Sequence, residues 1–237
     1  MNIVFFSFLV TFIAGLSTLL GLIPIYFKIK NINILISLSL AFAAGVMLSV
    51  SINSLLIESF NLTNNLLSVI LFVLIGILIS KIINKILKNI DNKLYKLGIM
   101  NSIALMIHNI PEGILTFSTT TININLGLQL ALSIIFHNIP EGISISVPIY
   151  YSTNSKKKAW FYTIISGFSE FLGALLTYIF MYRYINDSFI GIILALTTGI
   201  MIYISLVELV PNSLSYKQKK ITYISFIIGY IFMLFFK

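Results

Sequence analysis

The sequence predicts an all-α, polytopic membrane protein: eight transmembrane helices in a three-plus-two-plus-three inverted-repeat bundle. Three observations carry that expectation. Only 9% of residues are charged and the mean hydropathy is +1.02, which leaves too little polar surface to cover a soluble domain of 237 residues. Breaks rich in charge, asparagine or turn formers divide the chain into eight apolar segments, each near the ~20 residues that a helix needs to cross the hydrocarbon core. The basic residues collect in alternate breaks. Backbone groups in lipid must be satisfied within their own segment, so the segments are helices; a membrane barrel would show alternating stretches of ~10 residues.

Segment one, Ile3–Pro24, has no basic start and no small-residue cleavage signature, so it is expected to persist as a helix and not to act as a signal peptide. Segments two to five are Ile32–Ile57, Leu66–Ile83, Gly98–Ser118 and Leu126–Tyr150. Segments six to eight are Ala159–Tyr182, Phe189–Pro211 and Lys220–Phe236, the third and the last being shortest. The connections are short, so residues 1–237 read as one transmembrane domain.

The net charge of +8 resembles a nucleic-acid footprint until its distribution is inspected. Lys28 and Lys30 follow segment one, and Lys81, Lys85, Lys88, Lys93 and Lys96 follow segment three. Lys156, Lys157 and Lys158 follow segment five; Lys217, Lys219 and Lys220 follow segment seven. Arg183 and Lys237 alone fall on the other side. Basic residues accumulate in cytoplasmic loops, so the odd-numbered loops are expected inside and both termini outside. The lysines are topology markers with no binding role on this reading, and no nucleic-acid partner is expected. The absence of cysteine removes disulfides and thiolate ligands from consideration.

Two features stand out from the apolar background. The hexapeptide HNIPEG occurs at His108–Gly113 and again at His137–Gly142, holding both histidines of the chain and two of its seven acidic residues. Weaker echoes join the ends. GLSTLLG at Gly15–Gly21 matches GFSEFLG at Gly167–Gly173, and GVMLSVS at Gly45–Ser51 resembles GIMIYIS at Gly199–Ser205. The paired segments, one with six and two with seven, run in opposite directions, which is the pattern of an inverted repeat with its binding site near the midplane.

Ionisable side chains at membrane depth are costly and mark pathways or sites. His108 and Glu112 are four apart and share a helix face, with Asn109 on the adjacent stripe; His137, Glu141 and Asn138 repeat the arrangement. Two imidazoles, two carboxylates and two amides suit a divalent transition metal. Pro111 and Pro140 each remove an N–H and free the carbonyls of Ile107 and Phe136, which are further candidate oxygen ligands. Gly113 and Gly142 let neighbouring helices approach closely. Glu170 in segment six, where segment one has Thr18, adds a third carboxylate. The formal charge of −3 is brought to −1 by one divalent ion and to +1 by two. An intramembrane metal hydrolase is an alternative, although it requires His-Glu-x-x-His order and a second histidine. A scaffold or sensor is another, although it would not need ionisable groups from three helices.

The doubled HNIPEG in helices four and five, with SGFSEFLGALL in helix six, resembles the ZIP (Zrt-, Irt-like) family of divalent metal transporters, its bacterial members above all. The resemblance covers the whole chain. It implies uptake of Zn2+, with Fe2+, Mn2+, Co2+ and Cd2+ as further cargo, across the cytoplasmic membrane into the cytosol. It implies no enzyme activity, and no cofactor beyond the transported metal itself. It also implies a binuclear centre. One ion would take His108, Glu112, His137 and Glu141; the other would take Asn109, Asn138 and Glu170, with Glu112 and Glu141 bridging. Three departures from the family pattern are visible. Phe171 follows Glu170 where many relatives have proline, Ser54 stands where relatives often have an acid, and the loop between helices three and four lacks histidine. Asn53, Ser54, Glu58 and Glu208 are candidate pathway residues, and the expected partners are metal ions, membrane lipid and a second copy of the chain.

Overall fold

The computed structural model describes residues 2–27, 30–86, 90–181 and 186–235. Lys28, Lys88, Arg183 and Lys237, four of the charge markers, lie outside the described residues, as do Tyr182 and Phe236 at the expected ends of segments six and eight. Among the described residues there are eight helices and no strand. They are α1 Ile3–Tyr26, α2 Ile32–Thr63, α3 Leu66–Ile86, α4 Lys93–Ile122, α5 Ile124–Thr153, α6 Lys156–Phe180, α7 Asp187–Ser215 and α8 Lys219–Leu234.

Most run past the boundaries expected from hydropathy, because asparagine and serine cap them outside the apolar stretch. Asn31, Asn92, Asn123, Ser155 and Asn186 each accept a backbone N–H from the first turn of the helix that follows. Asn64 and Asn154 end α2 and α5 at φ 48° and 51°, the left-handed conformation that asparagine tolerates better than most residues. Pro24 does not end α1. It lies within a 3-10 stretch, Ser17–Tyr26, that completes the helix.

Six of the described helices are long and apolar enough to cross a membrane unaided. α4 is not, although it is 30 residues long, because Asn101, His108, Asn109, Glu112, Thr116 and Thr120 are buried along it. α8 has 16 residues in Lys219–Leu234 and packs along α2. The outer surface is apolar. On α3, Leu67, Leu71, Leu74 and Leu78 are 76%, 53%, 57% and 54% exposed and form a single stripe suited to lipid.

The packing follows two groups. α1, α4, α5 and α6 contact one another extensively, and in the second group α2 packs on α7 and α8 while α3 packs on α7; α2 against α5 and α7 against α4 join them. The inverted repeat appears in the contacts. A side chain at Gly45 of α2 would strike the Phe226 carbonyl of α8, and one at Gly199 of α7 would strike the Val73 carbonyl of α3. Gly15 and Gly167 face each other's carbonyls where α1 meets α6. The π-helical turns Ser51–Leu55 in α2 and Ile204–Leu209 in α7 also stand at equivalent positions of the two halves. π turns disrupt the regular ladder and are commonly retained for function.

Candidate metal centre

The two HNIPEG motifs meet where α4 and α5 pack between α1 and α6. Close approach is possible because Gly113 backs onto the Glu170 carbonyl of α6 and Gly142 onto the Thr18 carbonyl of α1. Neither Pro111 nor Pro140 interrupts its helix. All seven expected donors are buried, with His137 the most exposed at 3%.

Their pairing crosses between helices. His108 Nε2 lies 3.2 Å from Glu141 Oε1, and His137 Nε2 lies 3.3 Å from Glu112 Oε1. Two ligand atoms at zinc's usual bond lengths on a tetrahedron stand about 3.3 Å apart, so each pair has the length of one coordination edge. Asn138 Nδ2 donates to Glu170 Oε2 at 2.9 Å and to the Ala14 carbonyl at 3.0 Å. Asn109 Nδ2 donates to the Ser166 carbonyl at 3.0 Å. Both amide groups are therefore anchored through nitrogen, and Asn109 Oδ1 and Asn138 Oδ1 are left without a hydrogen-bond partner, as are Glu170 Oε1 and Glu141 Oε2. Buried acceptors lacking a donor are costly unless something cationic meets them. Among the described residues no three His, Asp or Glu side chains converge on one point as they stand. The centre therefore consists of two crossed edges plus Glu170 and two amide oxygens, not a closed coordination shell.

The repeat explains the two anchors. Ala14 and Ser166, whose carbonyls hold Asn138 and Asn109, are equivalent residues of α1 and α6, as are Thr18 and Glu170. Sequence reasoning missed Ala14 and Ser166 because backbone acceptors leave no side-chain signal; the register of the GLSTLLG and GFSEFLG echoes was the signal that could have found them. Thr18 Oγ1 is buried and without a partner, so the half of the site opposite Glu170 is polar but uncharged. Phe171 packs against Phe8, Phe12 and Phe168, so the position where many relatives have proline here joins α1 to α6 by ring contacts.

The candidate pathway residues do not all gather at the centre. Asn53 Nδ2 is engaged by the Ser49 carbonyl and Tyr230 OH, Ser54 is half-buried in the π turn, and Glu58 is exposed beside Asn61. Glu208 is buried and accepts from Asn84 Nδ2 at 2.5 Å, a partner on α3 that sequence reasoning did not single out.

Residues 91–237, which include both motifs and Glu170, match the family described as ZIP Zinc transporter. A protein of Clostridium perfringens named zinc transporter ZupT is 34% identical over 271 residues, covering 98% of this chain and 95% of that one. The chain belongs to the ZIP family. A second zinc transporter ZupT, from Streptococcus mutans, is 35% identical over 256 residues, covering 97% of this ZIP chain and 95% of its own length. A third, from Oceanobacillus iheyensis, is 48% identical over 143 residues, covering 60% of this chain and 53% of that one.

Proposed function

We propose that this ZIP-family protein is a transporter, not an enzyme, and that it takes up divalent transition-metal ions, zinc foremost, through the buried centre between α4, α5 and α6. The observation that carries the reading is the pair of crossed imidazole–carboxylate edges inside an apolar bundle. A divalent ion loses hydration on entering a bilayer, and three carboxylates, two imidazoles and two amide oxygens replace those waters. Mixed nitrogen and oxygen donors suit Zn2+, Fe2+, Mn2+, Co2+ and Cd2+ better than the hard ions Mg2+ and Ca2+. The hydrolase and scaffold alternatives fall with the family assignment.

The finer reading has the protein in the cytoplasmic membrane with both termini outside, supported by the lysines of alternate loops. In it residues 1–237 act as one unit. The centre holds two ions, with Glu112 and Glu141 bridging His108 and His137 on one side and Asn109, Asn138 and Glu170 on the other. Asn53, Ser54, Glu58 and Glu208 line the route toward and away from it. Lipid and a second copy of the chain are the partners of the outward apolar faces, and disulfide cross-linking of single cysteines placed there reads out the second copy. The test of function is uptake of isotopically labelled Zn2+, Fe2+, Mn2+, Co2+ and Cd2+ by cells expressing the chain. Zinc accumulation above the empty-vector level, lost in Glu141→Gln, is the expected result. Accumulation of none of the five would overturn the proposal.

A further inference from the structure

The end of the bundle where α3 finishes and α4 begins carries a groove of about 530 Å³, lined by α3, α4 and Tyr203 of α7. Leu78, Lys81, Ile82 and Lys85 of α3 all face it. Their spacing of three and four residues puts them on one helical stripe, on which apolar and cationic side chains alternate. Lys96 of α4 closes the opposite side, and Asn84 Nδ2 donates to the Tyr203 hydroxyl in the floor at 3.2 Å. From Leu78 to Lys85 the helix rises about 10 Å.

From this arrangement we infer that the groove binds an anionic phospholipid, its phosphate held by Lys81, Lys85 and Lys96 and one acyl chain laid on Leu78 and Ile82. Leu78 and Ile82 are 54% and 49% exposed and continue the lipid-facing stripe of α3, so the apolar wall opens to the bilayer and not to bulk water. Lys85 lies beyond Ile82 toward the end of α3 and Lys81 between Leu78 and Ile82, and their long stems carry the charges toward the headgroup level. Basic pockets between transmembrane helices recognise anionic headgroups in this way. One acid, Glu208, shares Lys96 with the groove. Glu208 sits in an adjoining recess of about 240 Å³, where Asn84 donates to it and Lys93 and Lys96 line the same wall. A free anion would have no use for the apolar wall. The lysines at 81, 85 and 96, read from sequence as topology markers alone, thus gain a ligand; Lys156, Lys157 and Lys158, outside the groove, do not. The inference rests on the membrane reading of the chain and is independent of the metal centre.

The test uses the full chain in detergent, mixed with phosphatidylglycerol or with phosphatidylcholine of the same acyl chains, with retained lipid counted by native mass spectrometry. Phosphatidylglycerol should be retained in preference to phosphatidylcholine. The triple variant Lys81→Gln, Lys85→Gln, Lys96→Gln should lower its apparent affinity roughly 100-fold, since each lysine near a membrane surface contributes about fivefold. The control triple Lys156→Gln, Lys157→Gln, Lys158→Gln removes equal charge and should leave retention unchanged. Leu78→Asn should weaken retention while keeping every charge. Zinc binding retained in all variants shows that they fold. Equal loss in both triples would mean diffuse surface charge and overturn the inference. So would equal retention of phosphatidylcholine, competition by inorganic phosphate at the lipid's own concentration, or cross-linking of Leu78→Cys to a second copy that covers the groove.

Discussion

Acidification should strip zinc from the centre with a slope that counts its histidines. An imidazole ligates only when neutral, so protons and metal compete for His108 and His137, and affinity falls as pH falls. Between about pH 7.5 and about pH 5.5, each pH unit below a ligating imidazole's pKa costs about tenfold in affinity per histidine. Carboxylates that take up protons in the same interval add to the slope, so the histidine count is read from the difference between the parent chain and its single-histidine variants. The structure makes the count informative. His108 and His137 belong to different crossed pairs, His108 with Glu141 and His137 with Glu112. One ion sharing both pairs would lose about 100-fold in affinity per pH unit at the limiting slope, whereas two ions with one histidine each would lose about tenfold apiece. Equilibrium zinc binding to detergent-purified protein is the assay, because no proton gradient exists there to drive flux in the opposite sense. His137→Gln should reduce the loss per pH unit from about 100-fold to about tenfold if one ion uses both rings. Affinity that stays flat across the interval would remove both histidines from the ligand set. The site would then have to be rebuilt from Glu112, Glu141, Glu170 and the two asparagines.

Glu112→Gln and Glu141→Gln should each lower zinc uptake by more than about 100-fold with membrane insertion intact, since even outer-shell changes at metal sites cost 10–100-fold; near-normal uptake in either would remove the bridging role. Asn109→Ala and Asn138→Ala should change the ranking of transported metals more than zinc flux, read by competition among labelled ions. Gly45→Leu and Gly199→Leu should each destabilise the bundle by about 1–3 kcal/mol, because the added side chains strike the Phe226 and Val73 carbonyls of α8 and α3; thermal unfolding in detergent measures it, and tolerance of Leu at one glycine alone would break the repeat's symmetry. In intact cells, Asn2→Cys should react with an impermeant maleimide and Lys157→Cys should not; strong labelling at position 157 would reverse the orientation.

Much of the fold was legible because membrane helices are written in composition. Lipid forbids unsatisfied backbone, so a run of about 20 apolar residues has one structural option. Where the runs ended was less legible. The asparagines at 31, 92, 123 and 186 read as breaks, yet each begins a helix that extends into polar sequence, and hydropathy does not register a cap. The length of α4 was similarly hidden, because its polar residues lower its hydropathy while they line the protein interior.

The sequence by itself singled out the candidate ligands: HNIPEG twice and Glu170, whose charge would not persist in an apolar bundle without a use. It also determined the face they share, since a spacing of four on a helix leaves no other choice. Only the tertiary structure decided their partners. Periodicity placed Glu112 beside His108 on one helix, but helix packing sets each carboxylate against the imidazole of the other helix, His137 and His108. It likewise set Asn138 between the Ala14 carbonyl and Glu170, and Asn84 of α3 against Glu208 of α7. The physical reason is that helical spacing fixes direction from one axis only, whereas a contact between helices depends on crossing angle, separation and register. Those are set by glycines and carbonyls far apart in the chain, such as Gly113 on Glu170 and Gly142 on Thr18.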